Sequence, residues 1–139
     1  MVWGTLRWII YHAGRRGAFL AFLTILDSVY GYSIIELPRA AFHLDLIIPV
    51  HAWGWLWIGT AGCCASGIFL RTDRIPYSIA ALMKAAWGLT FAWVWYQGPP
   101  EWPSVVVWLS FALIVTLVAG WPEKTVFETP PMPYISEQL

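Results

Sequence analysis

Four apolar stretches occupy most of this chain, and their lengths restrict what it can fold into. Their approximate bounds are 17–35, 46–70, 76–97 and 104–120. A helix of about 20 apolar residues is long enough to cross the ~30 Å hydrocarbon core of a bilayer. The first stretch carries one charged residue, Asp27, and the third carries one, Lys84. The pattern predicts an all-α membrane protein, a bundle of four transmembrane helices.

The composition favours lipid as the solvent of this chain. Only 12 % of its 139 residues are charged and 59 % are hydrophobic, whereas a soluble domain carries about 25 % charged residues. A globule of this size has too little interior to hide so much apolar surface. The net charge is zero and no long basic run occurs, so we expect the lipid bilayer and no nucleic acid as a partner.

Lysine and arginine are distributed unevenly around the apolar stretches. Six of them lie on one side of the predicted bundle, and the other side holds only Arg39. The six are Arg7, Arg15, Arg16, Arg71, Arg74 and Lys124. Because positive segments stay in the cytoplasm, both chain ends are predicted to be cytoplasmic. Residues 1–16 are predicted to form an interfacial amphipathic segment, residues 17–120 the transmembrane domain, and proline-rich residues 121–139 a flexible cytoplasmic tail.

Tryptophan is abundant, with 11 residues. Indole rings favour the membrane–water interface because an apolar ring and a polar N–H are both accommodated there. Trp residues near the start of the second stretch and near the end of the third therefore predict an outer aromatic belt. The residues that we assign to the two interfaces are Arg15, Arg16, His51, Trp53, Trp55 and Trp57.

Asp27 and Lys84 are the costliest residues at their positions, because a charge at a helix centre costs about 2.5 to 3.5 kcal/mol on insertion scales. At 1.5 Å per residue they lie about 15 Å and 12 Å from the starts of their stretches, so their depths match. We expect a buried ion pair that either fixes the packing or lines a pore or proton path. Whether it forms within one chain or between chains stays open.

Small residues form a stripe along the second stretch. The stripe consists of Gly59, Gly62, Cys63, Ser66 and Gly67. Small residues four positions apart let helix backbones approach closely. We interpret the stripe as a packing face for another helix of the chain, and the same stripe is suited to self-association between subunits.

Catalytic and metal-binding patterns give no site. There is no G-x-S-x-G, H-E-x-x-H, phosphate-binding glycine loop or C-x-x-C. His43, Asp45 and His51 provide three ligand side chains without a metal-binding spacing. We therefore expect no catalytic residue, metal or cofactor, and do not expect an enzyme.

Three short runs resemble small multi-spanning membrane proteins of bacteriophages that infect high-GC Gram-positive bacteria. They are GRRGAFLAF at 14–22, YGYSII at 30–35 and WGWLWIGTAG at 53–62. Members of that group are often described as holin-like, so the resemblance implies insertion into the plasma membrane of a bacterial host cell and a role in lysis. Typical holins have one to three spans and a strongly charged tail, and this chain departs from both features.

Three functions are compatible with these features. The first is a small oligomerising integral membrane protein that permeabilises the membrane as a holin does, with Asp27, Lys84 and the small-residue stripe governing assembly. The second is an accessory or scaffold subunit that binds other membrane proteins, for which PPMPY at 130–134 is a recognition element. The third is a small ion-coupled transporter with Asp27 as the coupling site.

Overall fold

The computed structural model describes residues 2–36, 48–69, 73–98 and 102–121, with side chains from residue 14 onward. All regular secondary structure in these ranges is helical, which confirms the all-α prediction. The helices are α1 (Val2–Glu36), α2 (Val50–Phe69), α3 (Arg74–Gln97) and α4 (Trp102–Ala119). Residues 37–45, between the first two predicted stretches, and residues 122–139 of the predicted tail lie outside the described residues.

Prolines and glycines lie where they start or end these helices. Pro49 precedes α2, and its carbonyl accepts a hydrogen bond from the Ala52 N–H at 2.8 Å. Pro76 and Pro103 are in the first turns of α3 and α4, where a missing N–H leaves no helical hydrogen bond unmade. Gly98 ends α3 with a φ of 140°, a conformation that favours glycine.

α1 contains a break near the predicted boundary between the interfacial segment and the transmembrane domain. Gly14 has φ 67° and ψ −171°, which lies in the left-handed region that glycine tolerates best. Residues 2–13 and Gly14–Glu36 are therefore two helical segments that change direction at Gly14. This break falls two residues before the predicted boundary at 16, and the interfacial position of residues 1–16 stays a prediction.

Helices that follow each other in sequence pack against each other in antiparallel pairs. α1 and α2 approach each other closely at Gly31, where an added Cβ would lie 2.8 Å from the Gly54 carbonyl oxygen. Gly67, near the end of α2, packs against Pro76 at the start of α3. Gly88 of α3 packs against Leu109 of α4. Glycine thus provides a close contact at each of the three junctions.

The described interior has two apolar clusters. The first, here the aromatic cluster, consists of Ile34, Val50, Trp53, Trp57, Met83, Trp87 and Val94, with Tyr30, Phe91 and Trp108 packed against it. The second consists of Leu20, Leu23, Cys64, Tyr77, Ala80 and Val115. Along α1, Asp27 falls between these clusters, and it is buried together with Lys84 and Thr60.

The described helices expose many large apolar side chains. Two segments, Gly14–Glu36 and Trp102–Ala119, are long and apolar enough to cross a membrane. α4 buries only Ala112 and Val115 among its 18 residues, so it is not the covered core helix of a globule. α2 and α3 do not reach this level of apolarity. Several Trp and Gly residues lower the hydropathy of α2, and α3 carries Arg74 and Lys84.

Candidate functional site

A buried ion pair joins α1 to α3. Lys84 Nζ donates to Asp27 Oδ1 at 2.8 Å and to Oδ2 at 2.9 Å. Both side chains are 0 % exposed. The structure thus brings together the two charged residues that the sequence placed at matching depths, and it does so within one chain.

Two aromatic rings also lie close to the ammonium group of Lys84. Lys84 Nζ lies 5.0 Å from the centroid of the Trp57 ring and 5.2 Å from that of Phe111. These are cation–π distances, and such contacts strengthen when water is excluded. Asp27, Trp57, Lys84 and Phe111 belong to α1, α2, α3 and α4 respectively. Each of the four helices therefore contributes one side chain to the site.

The burial of this pair determines what it can do chemically. Burying two charges costs several kcal/mol for each ion, and the cost is recovered only where geometry and hydrogen bonding are good. Here both carboxylate oxygens accept from one ammonium, and two rings lie against it. Because neither side chain has exposed surface, the pair does not line a water-filled path through a single chain. Asp27 could couple to another ion only after separating from Lys84.

A second ion pair joins the same two helices near one end. Arg16 Nη2 donates to Asp73 Oδ1 at 2.7 Å. The Arg16 guanidinium carbon lies 5.5 Å from the centroid of the Tyr77 ring, and the Tyr77 hydroxyl donates to the Arg16 carbonyl oxygen at 2.8 Å. Arg15, its neighbour, is exposed. We refer to Arg15, Arg16, Asp73 and Arg74 together as the arginine end.

Three polar contacts between α1 and α3 share one sequence offset. Arg16–Asp73, Asp27–Lys84 and the hydrogen bond from Trp87 Nε1 to the Tyr30 hydroxyl each join residues 57 positions apart. A constant offset means that the two helices run parallel and in register. Since 11 residues make about three helical turns, Arg16 and Asp27 lie on one face of α1.

Comparison with protein families, with curated proteins and with solved structures finds no match. The site is therefore interpreted from its geometry and chemistry.

Two of the three tryptophans assigned to the interface on α2 are in the interior. Trp53 and Trp57 are 5 % and 0 % exposed, whereas Trp55 is 65 % exposed. The helical period explains this correction, because positions 53 and 57 share a face and 55 points elsewhere. The Trp57 ring packs edge-on against Tyr30 at 4.9 Å and against Trp87 at 6.1 Å. Its buried Nε1 has no hydrogen-bond acceptor among the described residues.

The small-residue stripe of α2 does not pack as expected within the chain. A Cβ added at Gly59 or Gly62 would meet no atom within 4 Å, and Ser66 is exposed, with its Oγ bonded to the Cys63 carbonyl at 2.8 Å. Gly67 alone among these glycines makes an internal close contact. The within-chain packing interpretation is therefore wrong for Gly59 and Gly62, and the close contacts occur at glycines that the stripe did not include.

No group of three metal-binding side chains occurs within the described ranges. His51 is partly buried in the first turn of α2, and the other two residues of the His43–Asp45–His51 set lie outside these ranges. The Asp27–Lys84 pair and the exposed part of the small-residue stripe are therefore the features on which a function can be argued.

Proposed function

We propose that the chain is a small integral membrane protein of the bacterial plasma membrane, with four membrane-spanning helices, both ends in the cytoplasm, and a tendency to self-associate. The observation that carries the proposal is that the described bundle buries charged side chains and exposes apolar ones. Asp27 and Lys84 are fully buried, whereas seven large apolar side chains of α4 are exposed, among them Val107, Leu113 and Leu117. Such surface is stable in lipid, because lipid satisfies apolar side chains and excludes unpaired charge.

The two ends of the bundle support the proposed orientation. Arg15, Arg16 and Arg74 lie at the arginine end, and most of the exposed aromatic side chains lie toward the opposite end. Those toward the opposite end are Tyr32, Trp55, Trp93, Trp95, Tyr96 and Trp102, whereas Phe22, Phe69 and Trp121 are exposed toward the arginine end. Arginine on the cytoplasmic side and aromatic rings at the interface are the usual arrangement of membrane proteins.

Self-association is supported by the exposed part of the stripe. Gly59, Gly62 and Ser66 are exposed, with no partner helix among the described residues, and lipid supplies no hydrophobic drive for helices to associate. Close approach of two small-residue faces instead stabilises association through van der Waals packing. Cys63 lies beside this face and is partly exposed, whereas Cys64 is buried.

The two cysteines provide a matched test of this contact. Oxidation with a membrane-permeant copper complex is expected to cross-link two wild-type chains through Cys63. Cys64→Ala is expected to cross-link as the wild type does, and Cys63→Ala is expected to stay monomeric on a denaturing gel. Equal cross-linking of both variants, or none in the wild type at full membrane insertion, would contradict self-association through α2.

Permeabilisation is the activity that we propose for the assembled form, as in holin-like proteins. Because the Asp27–Lys84 pair is sealed within one chain, an aqueous path would form between copies. Controlled expression in a bacterial membrane should then abolish the membrane potential abruptly. Gly62→Leu should delay or prevent this loss, while Ser110→Leu, on the exposed surface of α4, should behave as the wild type does.

A second candidate is a non-enzymatic accessory or scaffold subunit. The sealed ion pair favours it, since a pair without exposed surface serves packing rather than transport. An intact membrane potential at high levels of correctly inserted protein would decide for the scaffold and against permeabilisation.

A further inference from the structure

The arginine end carries more positive charge than its internal contacts use. Arg16 and Asp73 neutralise each other at 2.7 Å. Arg15 and Arg74 are exposed, and neither has a hydrogen-bond or ion-pair partner within the described parts of the chain. Three arginines and one aspartate leave a net charge of +2 at this end.

The Arg16–Asp73 bridge positions these two free charges. Arg15 is the neighbour of Arg16 on α1, and Arg74 is the neighbour of Asp73 on α3, so one contact brings both arginines to the same end of the bundle. The ring of Tyr77 and its hydrogen bond to the Arg16 carbonyl hold the bridge in place. The position of Arg15 and Arg74 at the same end of the bundle is thus a consequence of the α1–α3 register.

Large apolar side chains lie next to these arginines. Ile75 follows Arg74 and is 67 % exposed, and Phe69, the last residue of α2, is 79 % exposed. The contact of Gly67 with both Pro76 and Leu20 places the end of α2 at the level where α3 starts and the membrane segment of α1 begins. A partner for this surface must therefore present a negative charge beside apolar chains.

We propose that the arginine end binds an anionic glycerophospholipid, with Arg15 and Arg74 on its phosphate and Ile75 and Phe69 against its acyl chains. The inference rests on the proposed function, because it requires the chain to be in a membrane. A guanidinium group matches phosphate oxygens in geometry and charge. A free phosphate ion shares the charge but offers nothing to the apolar side chains.

The test is a titration of the purified full-length chain in neutral detergent. Phosphatidylglycerol and phosphatidylcholine are added separately, and the dissociation constant of the first bound lipid is read by native mass spectrometry. At about 1 kcal/mol for each arginine, we expect about fivefold tighter binding of phosphatidylglycerol for each one. Arg15→Gln/Arg74→Gln should lose this preference, and Arg15→Lys/Arg74→Lys should retain most of it.

Two controls separate the sources of the effect. Glu36→Gln changes the charge at the opposite end of α1 and should leave the lipid preference unchanged. Inorganic phosphate is added as a competitor, and displacement of the lipid at millimolar phosphate would overturn the lipid assignment in favour of the free ion. Equal binding of both lipids by the wild type would overturn the whole inference.

Failure of this inference is distinguishable from failure of the proposed function. Alkaline carbonate extraction reports whether the expressed chain is embedded in the membrane. A chain that resists extraction but binds both lipids equally refutes only the lipid site. A chain that is extracted refutes the membrane-spanning proposal itself.

Discussion

Removing one member of the Asp27–Lys84 pair should destabilise the bundle more than removing both. Lys84→Met keeps the length of the side chain but leaves the Asp27 carboxylate without its only charged partner in the described interior. Breaking a buried pair in this way costs about 3 to 5 kcal/mol. The variant also loses the contacts of the ammonium with Trp57 and Phe111, which are worth about 0.5 to 2 kcal/mol each.

Asp27→Asn should be the milder change. The amide oxygen still accepts a hydrogen bond from Lys84, and the two aromatic rings still stabilise the ammonium, whereas the carboxylate has no comparable second partner. We expect a cost of about 1.5 to 3 kcal/mol, which corresponds to a hydrogen bond to a charged group. The double variant Asp27→Leu/Lys84→Met replaces the pair by apolar side chains of similar size, and such replacements are often neutral or stabilising by about 1 to 4 kcal/mol.

The assay is a double-mutant cycle on the purified protein in mixed micelles. The free energy of unfolding is measured by titration with a denaturing detergent for the wild type, Asp27→Leu, Lys84→Met and the double variant. The loss of unfolding free energy in the double variant should be smaller than the sum of the losses in the two single variants by at least about 2 kcal/mol. Additive costs would refute the reasoning, because they would mean that the two side chains do not interact energetically.

Further predictions concern the close contacts and the second bridge. Gly31→Ala should destabilise the bundle by about 1 to 3 kcal/mol, because its Cβ would meet the Gly54 carbonyl oxygen at 2.8 Å. Gly59→Ala, with no atom within 4 Å, should be neutral or stabilising by up to about 1 kcal/mol, and the same unfolding titration compares the two. Arg16→Gln should cost about 1 kcal/mol more than Arg15→Gln, because only Arg16 donates to Asp73 within the described residues. Equal costs for the two arginine variants would argue against a stabilising bridge.

The sequence predicted the helices well where apolar length decided the outcome. The predicted stretch 76–97 ends at the same residue as α3, and the stretch 46–70 contains the whole of α2. Helix starts were less accurate. Pro103 belongs to the first turn of α4, which starts at Trp102 rather than at 104, whereas Pro49 precedes α2, which starts at Val50 rather than at 46. α1 extends well before residue 17, since nothing except Gly14 interrupts the helical pattern there.

The charged pair was predictable because burial of a single charge in an apolar helix demands a partner. Its aromatic surroundings were not, because alternate residues such as Trp53, Trp55 and Trp57 look alike in a hydropathy pattern. The helical period separates them, and it places Trp57 beside Lys84. Phe111 had no signal at all, since α4 is apolar on every side and its orientation depends on tertiary packing.

The close helix contacts were missed for a similar reason. The run GTAGCCASG drew attention to the middle of α2, where small residues are densest. The contact with α1 uses isolated glycines instead, Gly31 and Gly54, each flanked by large side chains. A single glycine between aromatic residues is a weak pattern in sequence. In the structure it is the point at which two backbones approach closely.

The register of the bundle is set by different forces at different junctions. In the lipid environment that we propose, contacts between apolar side chains give little preference for one alignment of two helices over another. Polar contacts and close backbone packing must therefore determine the alignment. α1 and α2 are aligned by Gly31 against Gly54. α1 and α3 are aligned by three polar contacts at a common offset of 57 residues. A slip of one residue would break all three contacts at once and leave Lys84 unpaired in an apolar environment. The polar contacts with α1 therefore fix the position of the less apolar α3.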